Sequence, residues 1–165
     1  MCFSANHSLV SFLIGAVFSI LNNLFHGKNI EFLAISLSWF FGIFMQFFEV
    51  FIWTNTKCLT MTQFAYFFNL LQPVPILLLL LDKNVSKTNK IVSILTIIIY
   101  LSTIFTLMKI PNKCAKQNNQ VILNWWTNKT AASIIYLITI PLLTLLLVSN
   151  MGLKIFNIIL FILSL

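Results

Sequence analysis

Acidic residues are scarce in this chain, and one of them lies in the apolar stretch MQFFEVFIW (45–53). Gln46, Glu49 and Trp53 are spaced i, i+3 and i+7, so they share one face of a helix. An ionisable side chain inside a membrane-like segment is a standing candidate for a proton, ion or ligand contact. This face is therefore the first place where the sequence could carry chemistry.

Polar residues in two other segments are expected at the same level as Glu49. Cys2, Ser4 and His7 precede the first apolar segment, and Gln63 lies one turn into the third. Consecutive helices alternate in direction, which brings these positions to one side of the bundle. The predicted polar cluster consists of Cys2, Ser4, His7, Gln46, Glu49, Trp53 and Gln63. Cys and His spacings typical of a structural zinc site are missing, so no metal is predicted, and the cofactor is unknown.

A second polar group lies in the middle of the third apolar segment, NLLQPVPILLLLLD (69–82). Pro73 lacks a backbone donor and clashes with the carbonyl of Asn69 four residues earlier, which predicts a kink. The freed carbonyls need partners, from Gln72 or from a neighbouring helix. Asn69, Gln72 and Pro73 therefore fit either a binding pocket or an ordinary bent helix. Pro141, in the fifth apolar segment, is interpreted in the same way.

The composition is that of an integral membrane protein. Of 165 residues, 59% are hydrophobic and 8% charged, against roughly a quarter charged in soluble domains. Net charge is +7, carried by lysines in short loops, where contact with anionic lipid head groups explains them. Nucleic-acid binding is not predicted, because basic residues are not clustered on one face. The expected partners are the lipid bilayer and other copies or chains in the membrane.

The apolar segments predict an all-α, polytopic transmembrane helical bundle that forms a single domain. A span needs about 20 predominantly apolar residues. Six spans are predicted, and a seventh is expected if the chain continues, because the last segment is short. The predicted spans cover residues 8–25, 32–53, 60–81, 90–110, 130–148 and 152–165.

Six spans divide the connections between two sides of a membrane. The N-terminus and the loops at 54–59 and 111–129 define the first side, and the loops at 26–31, 82–90 and 149–152 define the second side. Lysines are divided evenly between the sides, so the positive-inside rule does not fix the orientation. Cys2, Cys58 and Cys114 all fall on the first side. In an oxidising compartment one pair could form a disulfide, but the sequence does not say which.

The opening MCFSANHS and the segment QFFEVFIW resemble a family of uncharacterised small multi-span membrane proteins of bacteria and large DNA viruses. Members open Met-Cys-Phe-Ser-Ala-x-x-Ser, which Cys2, Ser4 and Ser8 match here, and carry an amide–acid–Trp pattern in the second span. The resemblance covers the first third of the chain and brings no activity with it. It implies that the opening and the Gln46/Glu49/Trp53 face form one polar cluster. It also suggests a virion inner membrane, or a host or organellar membrane, as the location.

Three interpretations of Glu49 remain open: a hydrogen-bonded or protonated group that holds helices together, a functional contact, and a carboxylate exposed to water at the interface. They lead to three hypotheses of function. The first is a non-enzymatic structural or assembly component of a membrane. The second is a small transporter, channel or receptor-like binder with a pocket around Glu49, Gln46, Asn69 and Gln72. The third is an intramembrane enzyme using Cys2, His7 and Glu49; whether the protein is an enzyme stays undecided, with the balance toward no.

Overall fold

The computed structural model describes residues 4–26, 29–117, 120–121 and 130–163. These residues are mostly helical, which confirms the all-α class. A 3₁₀ helix, Val74–Leu81, follows α3, and the two-residue strands β1 (Lys116–Gln117) and β2 (Gln120–Val121) pair antiparallel after α4. The α-helices are α1 (Ala5–His26), α2 (Ile30–Trp53), α3 (Cys58–Leu71), α4 (Lys87–Leu107), α5 (Thr130–Leu147) and α6 (Met151–Leu163).

Four described helical segments are long and apolar enough to cross a membrane: residues 5–25, 30–53, 58–81 and 87–107. Two shorter apolar helices cover residues 131–147 and 151–162. Many large apolar side chains on these helices point away from the protein, among them Phe18 and Phe105, which are 69% and 81% exposed. Such surfaces suit hydrocarbon as their surroundings and are unusual on a protein in water.

Helix α2 lies at the centre of one half of the bundle and packs against α1, α3 and the 3₁₀ helix. Phenylalanine rings fill these interfaces: Phe12 of α1 contacts Phe44 and Phe47 of α2, and Phe68 of α3 stacks on Phe44. Offset and edge-to-face ring pairs of this kind stabilise packing beyond their buried area. In the other half, α5 packs against α4, α6 and the 3₁₀ helix.

The third predicted span is divided into two parts. Helix α3 ends at Leu71, and a 3₁₀ helix continues from Val74 to Leu81. Pro73 and Pro75 both lack an amide hydrogen, so an α-helix through them would lose two hydrogen bonds to the preceding turn. The 3₁₀ helix has eight residues, whereas three or four are usual. It packs against α2 and α5.

A disulfide closes the end of the bundle where α2 ends and α3 begins. Cys58, the first residue of α3, is bonded to Cys114 in the connection after α4, with 5.3 Å between the two Cα atoms. Thr62 accepts a hydrogen bond from the amide of Ala115 at 3.1 Å, and Lys116 donates from Nζ to the carbonyl of Trp53 at 2.6 Å. The connection after α4 is thus fastened to α2 and α3 by covalent and polar contacts.

Candidate functional site

The predicted polar cluster is assembled from the start of α1 and the end of α2. Ser4 caps α1: its Oγ accepts the amide hydrogen of His7 at 3.3 Å and lies 2.8 Å from Nδ1 of the same residue. Ser8 Oγ lies 3.3 Å from the carbonyl of Ser4 and 3.1 Å from Oε2 of Glu49. A continuous polar chain therefore runs from His7 through Ser4 and Ser8 to Glu49.

Glu49 is buried and makes a hydrogen bond with Ser8 of α1. Its side chain is 2% exposed, and it lies four residues before the last residue of α2. Because a serine hydroxyl has one hydrogen, Ser8 donates either to Glu49 or to the carbonyl of Ser4. Glu49 itself, when protonated, could donate to Ser8 in the second case. The arrangement joins α1 to α2 in either protonation state of the carboxyl group.

The other residues of the α2 face contact different neighbours. Gly42 packs against Gln72, since a Cβ on Gly42 would lie only 3.1 Å from Nε2 of that amide. Trp53 packs in the apolar cluster around the disulfide, and its Nε1 has no hydrogen-bond acceptor among the described residues. Gln46 is half-buried. Gly42 and Trp53 therefore lie against different parts of the bundle.

Gln63, another member of the predicted cluster, contacts a different element. Gln63 donates from Nε2 to the carbonyl of Pro111 at 3.0 Å, so it fastens α3 to the connection after α4. Cys2 lies outside the described residues. What the structure brings together is thus Ser4, His7 and Glu49, with Ser8 as the link between them.

The break at Pro73 exposes carbonyl groups, and neighbouring helices bind them. Tyr100 of α4 donates to the carbonyl of Leu70 at 2.7 Å, and Ser38 of α2 donates to the carbonyl of Gln72 at 2.6 Å. The carbonyl of Asn69, four residues before Pro73, accepts the amide hydrogen of Gln72 in a 3₁₀ turn. The neighbouring helices thus supply the partners that such a break requires inside a membrane.

The side chains at the break are also engaged. Gln72 is buried, and its Oε1 accepts a hydrogen bond from the hydroxyl of Tyr136 at 2.7 Å, which connects the break to α5. Asn69 Nδ2 lies 3.4 Å from the sulfur of Met45, while its buried Oδ1 has no donor among the described residues. Asn69 is consequently the least satisfied polar group of the predicted pocket.

Sequence reasoning missed a second buried carboxylate, Glu31, which is 4% exposed. It accepts hydrogen bonds from the amide and the hydroxyl of Ser149 and, at 3.3 Å, from the amide of Asn150. Asn150 precedes α6, and its Oδ1 accepts the amide hydrogen of Leu153 at 3.0 Å. Glu31 thus lies at the positive end of the α6 dipole, where a carboxylate is stabilised.

A third polar connection lies between α2, α5 and α6. The indole of Trp39 donates to Oδ1 of Asn157 at 2.7 Å, and Nδ2 of Asn157 donates to Thr144 at 2.7 Å. Asn157 and Thr144 are almost completely buried. The sequence signal was an Asn in the middle of an apolar helix, but its partner Trp39 is 118 positions away.

An open cavity of about 700 Å³ lies between α1, α2 and α6. Its lining is mainly apolar and includes Phe18, Ile43 and Phe156, with Asn22, Ser36 and Asn150 as polar members. The described residues that line it do not include Glu49, Asn69 or Gln72. This cavity is therefore separate from the polar groups that the sequence singles out.

Within the described part of the chain, no three His, Cys, Asp or Glu side chains lie close enough together to hold a metal ion. Comparison of the whole chain with family models, with curated proteins and with solved structures found no match.

Proposed function

We propose that this chain is a multi-pass integral membrane protein with six spans that serves as a non-enzymatic structural or assembly component of its membrane. The observation that carries the proposal is that Glu49, the intramembrane carboxylate, is buried and bonded to Ser8 of the adjacent helix. Intramembrane polar groups that face protein donors act as links between helices. The same pattern recurs at Glu31, at Gln72 and at Asn157.

The contacts at the two ends of the bundle support six alternating spans. At one end, the start of α1 contacts the end of α2 through Ser8 and Glu49, and the disulfide joins the start of α3 to the connection after α4. At the other end, Glu31 contacts the α5–α6 turn, and Asn89 of α4 donates to the carbonyl of Leu146. These groupings support the proposed division of the connections into a first and a second side.

The disulfide supports an orientation that the lysines do not decide. Disulfides form and persist in oxidising compartments. Because Cys58 and Cys114 lie on the first side, we place the first side and the N-terminus in the periplasm, the organelle lumen or the extracellular space, or at a virion surface. The proposal also includes membership in the family that opens Met-Cys-Phe-Ser-Ala-x-x-Ser, and with it a viral or organellar membrane. It includes assembly with other copies or chains in that membrane.

A small transporter, channel or receptor-like binder is the second candidate, and one observation favours it. Oδ1 of Asn69, beside the break at Pro73, is buried without a donor among the described residues, and a ligand could supply one. This pocket would include Glu49, Gln46 and Gln72.

Reconstitution into liposomes separates the two candidates. The proposal predicts that detergent extracts the protein from membranes and that carbonate at high pH does not. Proteoliposomes are then tested for proton and monovalent cation flux with a pH-sensitive dye and an imposed gradient. The proposal predicts the same leak as empty liposomes for the wild type, Glu49→Gln and Asn69→Leu. A flux that Glu49→Gln or Asn69→Leu abolishes, while the control Ser11→Ala on the exposed side of α1 retains it, contradicts the structural role.

A further inference from the structure

The two cysteines of the disulfide differ in how accessible they are. Cys58 is 8% exposed and packs in the apolar cluster with Phe48 and Ile52, whereas Cys114, in the connection after α4, is partly exposed. Thiol–disulfide exchange begins when a thiolate attacks one of the two sulfur atoms, and access to each sulfur affects the rate. An attacking thiolate therefore reaches Sγ of Cys114, and Cys58 is the leaving group.

The leaving sulfur belongs to a helix N-terminus that lacks a side-chain acceptor. Cys58 is the first residue of α3, and the preceding residue, Lys57, makes no side-chain hydrogen bond that caps the helix. The first amide hydrogens of a helix have no acceptor within the helix, and the positive end of its dipole favours a negative charge. This position stabilises a thiolate on Cys58, and a more stable thiolate leaves faster.

The charged residues next to the disulfide in the chain are lysines. Lys57 and Lys113 directly precede the two cysteines, and Lys116 follows closely. The amide of Lys116 also donates to Sγ of Cys114 at 3.3 Å. Of the three acidic residues in the chain, only Glu49 lies near this end of the bundle, and it is buried against α1. Positive charge in such surroundings raises the local concentration of anionic reactants, so anionic thiols are the favoured class.

Two hydrogen bonds hold the connection after α4 independently of the disulfide. The amide of Ala115 donates to Thr62 at 3.1 Å, and Nζ of Lys116 donates to the carbonyl of Trp53 at 2.6 Å. These contacts keep the two cysteines close together once the bond between them is opened. Groups held in this way react with each other at a high effective concentration, so the opened disulfide closes again.

We infer that the Cys58–Cys114 disulfide is exchangeable and that Cys114 is the site at which an anionic low-molecular-weight thiol adds. The sulfur of the incoming thiolate forms a bond to Sγ of Cys114. The bond between the two Sγ atoms breaks, and its electron pair leaves on Cys58 as a thiolate. One disulfide and one thiolate are thus converted into one disulfide and one thiolate, without an external oxidant. Attack of Cys58 on the mixed disulfide reverses the step.

Glutathione, an anionic thiol, is the probe. The oxidised protein carrying Cys2→Ser, which leaves only the two bonded cysteines, is reconstituted into nanodiscs and incubated with glutathione. Acid stops the exchange at set times, and peptides from digestion at low pH are analysed by mass spectrometry. We expect at least about tenfold more glutathione on Cys114 than on Cys58, because access to the sulfur affects the rate. The protein denatured in detergent is the control, and in it both cysteines should be modified about equally.

One lysine variant tests the contribution of charge at the start of α3. Lys57→Gln should slow the reaction with glutathione by about two- to fivefold, the effect of one charge at a helix terminus. The matched control is Lys87→Gln, which makes the same substitution at the first residue of α4 and should leave the rate unchanged. Cysteamine, a cationic thiol, should react more slowly than glutathione when the rates are compared per thiolate, and Lys57→Gln should narrow this difference.

Each outcome decides the inference. Glutathione found mainly on Cys58, or equally on both cysteines of the folded protein, overturns the assignment of Cys114 as the site. A folded protein that does not react, under conditions in which the denatured protein does, has a purely structural disulfide, which also overturns it. Equal rates per thiolate for cysteamine and glutathione overturn the preference for anionic thiols. None of these results bears on the role of Glu49, so the inference and the proposed function fail separately.

Discussion

The hydroxyl of Ser8, near the start of α1, lies 3.1 Å from a carboxylate oxygen of Glu49, about one turn before the end of α2. This contact gives the buried carboxylate a partner on another helix. It also explains why a costly residue is tolerated in an otherwise apolar segment, because a buried carboxyl group that is hydrogen-bonded avoids most of the penalty of desolvation. At the opposite end of the same helix, Glu31 makes the corresponding contact with Ser149 and Asn150.

Removing the hydroxyl of Tyr136 should destabilise the fold. Tyr136→Phe leaves the buried Oε1 of Gln72 without its donor, and an unsatisfied buried acceptor costs about 1–3 kcal/mol. The free energy of unfolding, measured in detergent micelles, checks this. The control Thr106→Val removes an exposed hydroxyl that bonds only to its own helix and should change the value by less than about 0.5 kcal/mol. Equal stabilities for the two variants would argue against the Gln72 contact.

Replacing Glu31 should loosen the α5–α6 turn. Glu31→Ala removes the acceptor of three hydrogen bonds at the start of α6, and a bond to a charged group contributes about 1.5–3 kcal/mol. We expect a lower unfolding midpoint and faster hydrogen exchange of the Ser149 and Asn150 amides. Asp82→Asn is the control, because among the described residues this carboxylate accepts only the nearby amide of Asn84. Unchanged exchange in Glu31→Ala contradicts this role.

Three glycines, Gly15, Gly42 and Gly152, differ in how much room a side chain would have. A Cβ on Gly15 would lie 2.6–3.0 Å from three side-chain atoms of Ile43, whereas one on Gly152 would meet only Oδ1 of Asn150 at 3.4 Å. Gly15→Ala should therefore cost about 1–3 kcal/mol, as overpacking does, and Gly152→Ala should be nearly neutral. Gly42→Ala should fall between them, because Gln72 must shift. Adding Ile43→Val to Gly15→Ala should restore part of the loss, since it removes the nearest atom.

The disulfide predicts a simple pattern of thiol labelling. In the oxidised protein, denatured without reductant, a maleimide should label one of the three cysteines, and after reduction all three. Cys2→Ser should lower each number by one. Labelling of three thiols without reductant would contradict the Cys58–Cys114 bond. Cys58→Ser together with Cys114→Ser should lower stability by about 2–4 kcal/mol.

Much of the architecture could be predicted from local signals. Runs of apolar residues mark the helices, and Pro73 marks the end of α3 because a missing amide hydrogen acts on its own turn. The break was predicted, but the 3₁₀ conformation of Val74–Leu81 was not, since it also depends on packing against α2 and α5. Placing the cysteines on one side allowed a disulfide in an oxidising compartment, but it decided neither whether one forms nor which pair it joins.

Tertiary partners could not be predicted, because they depend on how the helices rotate about their axes. Glu49 was identified, but its partner Ser8 was not, and Gln63 bonds to Pro111. Glu31 was overlooked because an acidic residue at a predicted loop boundary has the appearance of a solvated charge. Its burial results from the α5–α6 turn, more than a hundred residues later in the chain.

The central claim is that Glu49 links helices, and a double-mutant cycle between Ser8 and Glu49 tests it most directly. Unfolding free energies are measured in bicelles for Ser8→Ala, Glu49→Ala and the double variant. We predict that both single variants are destabilised and that they couple by about 0.5–1.5 kcal/mol, the range of polar contacts between membrane helices. Additive single effects, together with a Glu49→Ala variant more stable than the wild type, would contradict the claim, because removal of a functional group commonly stabilises a fold.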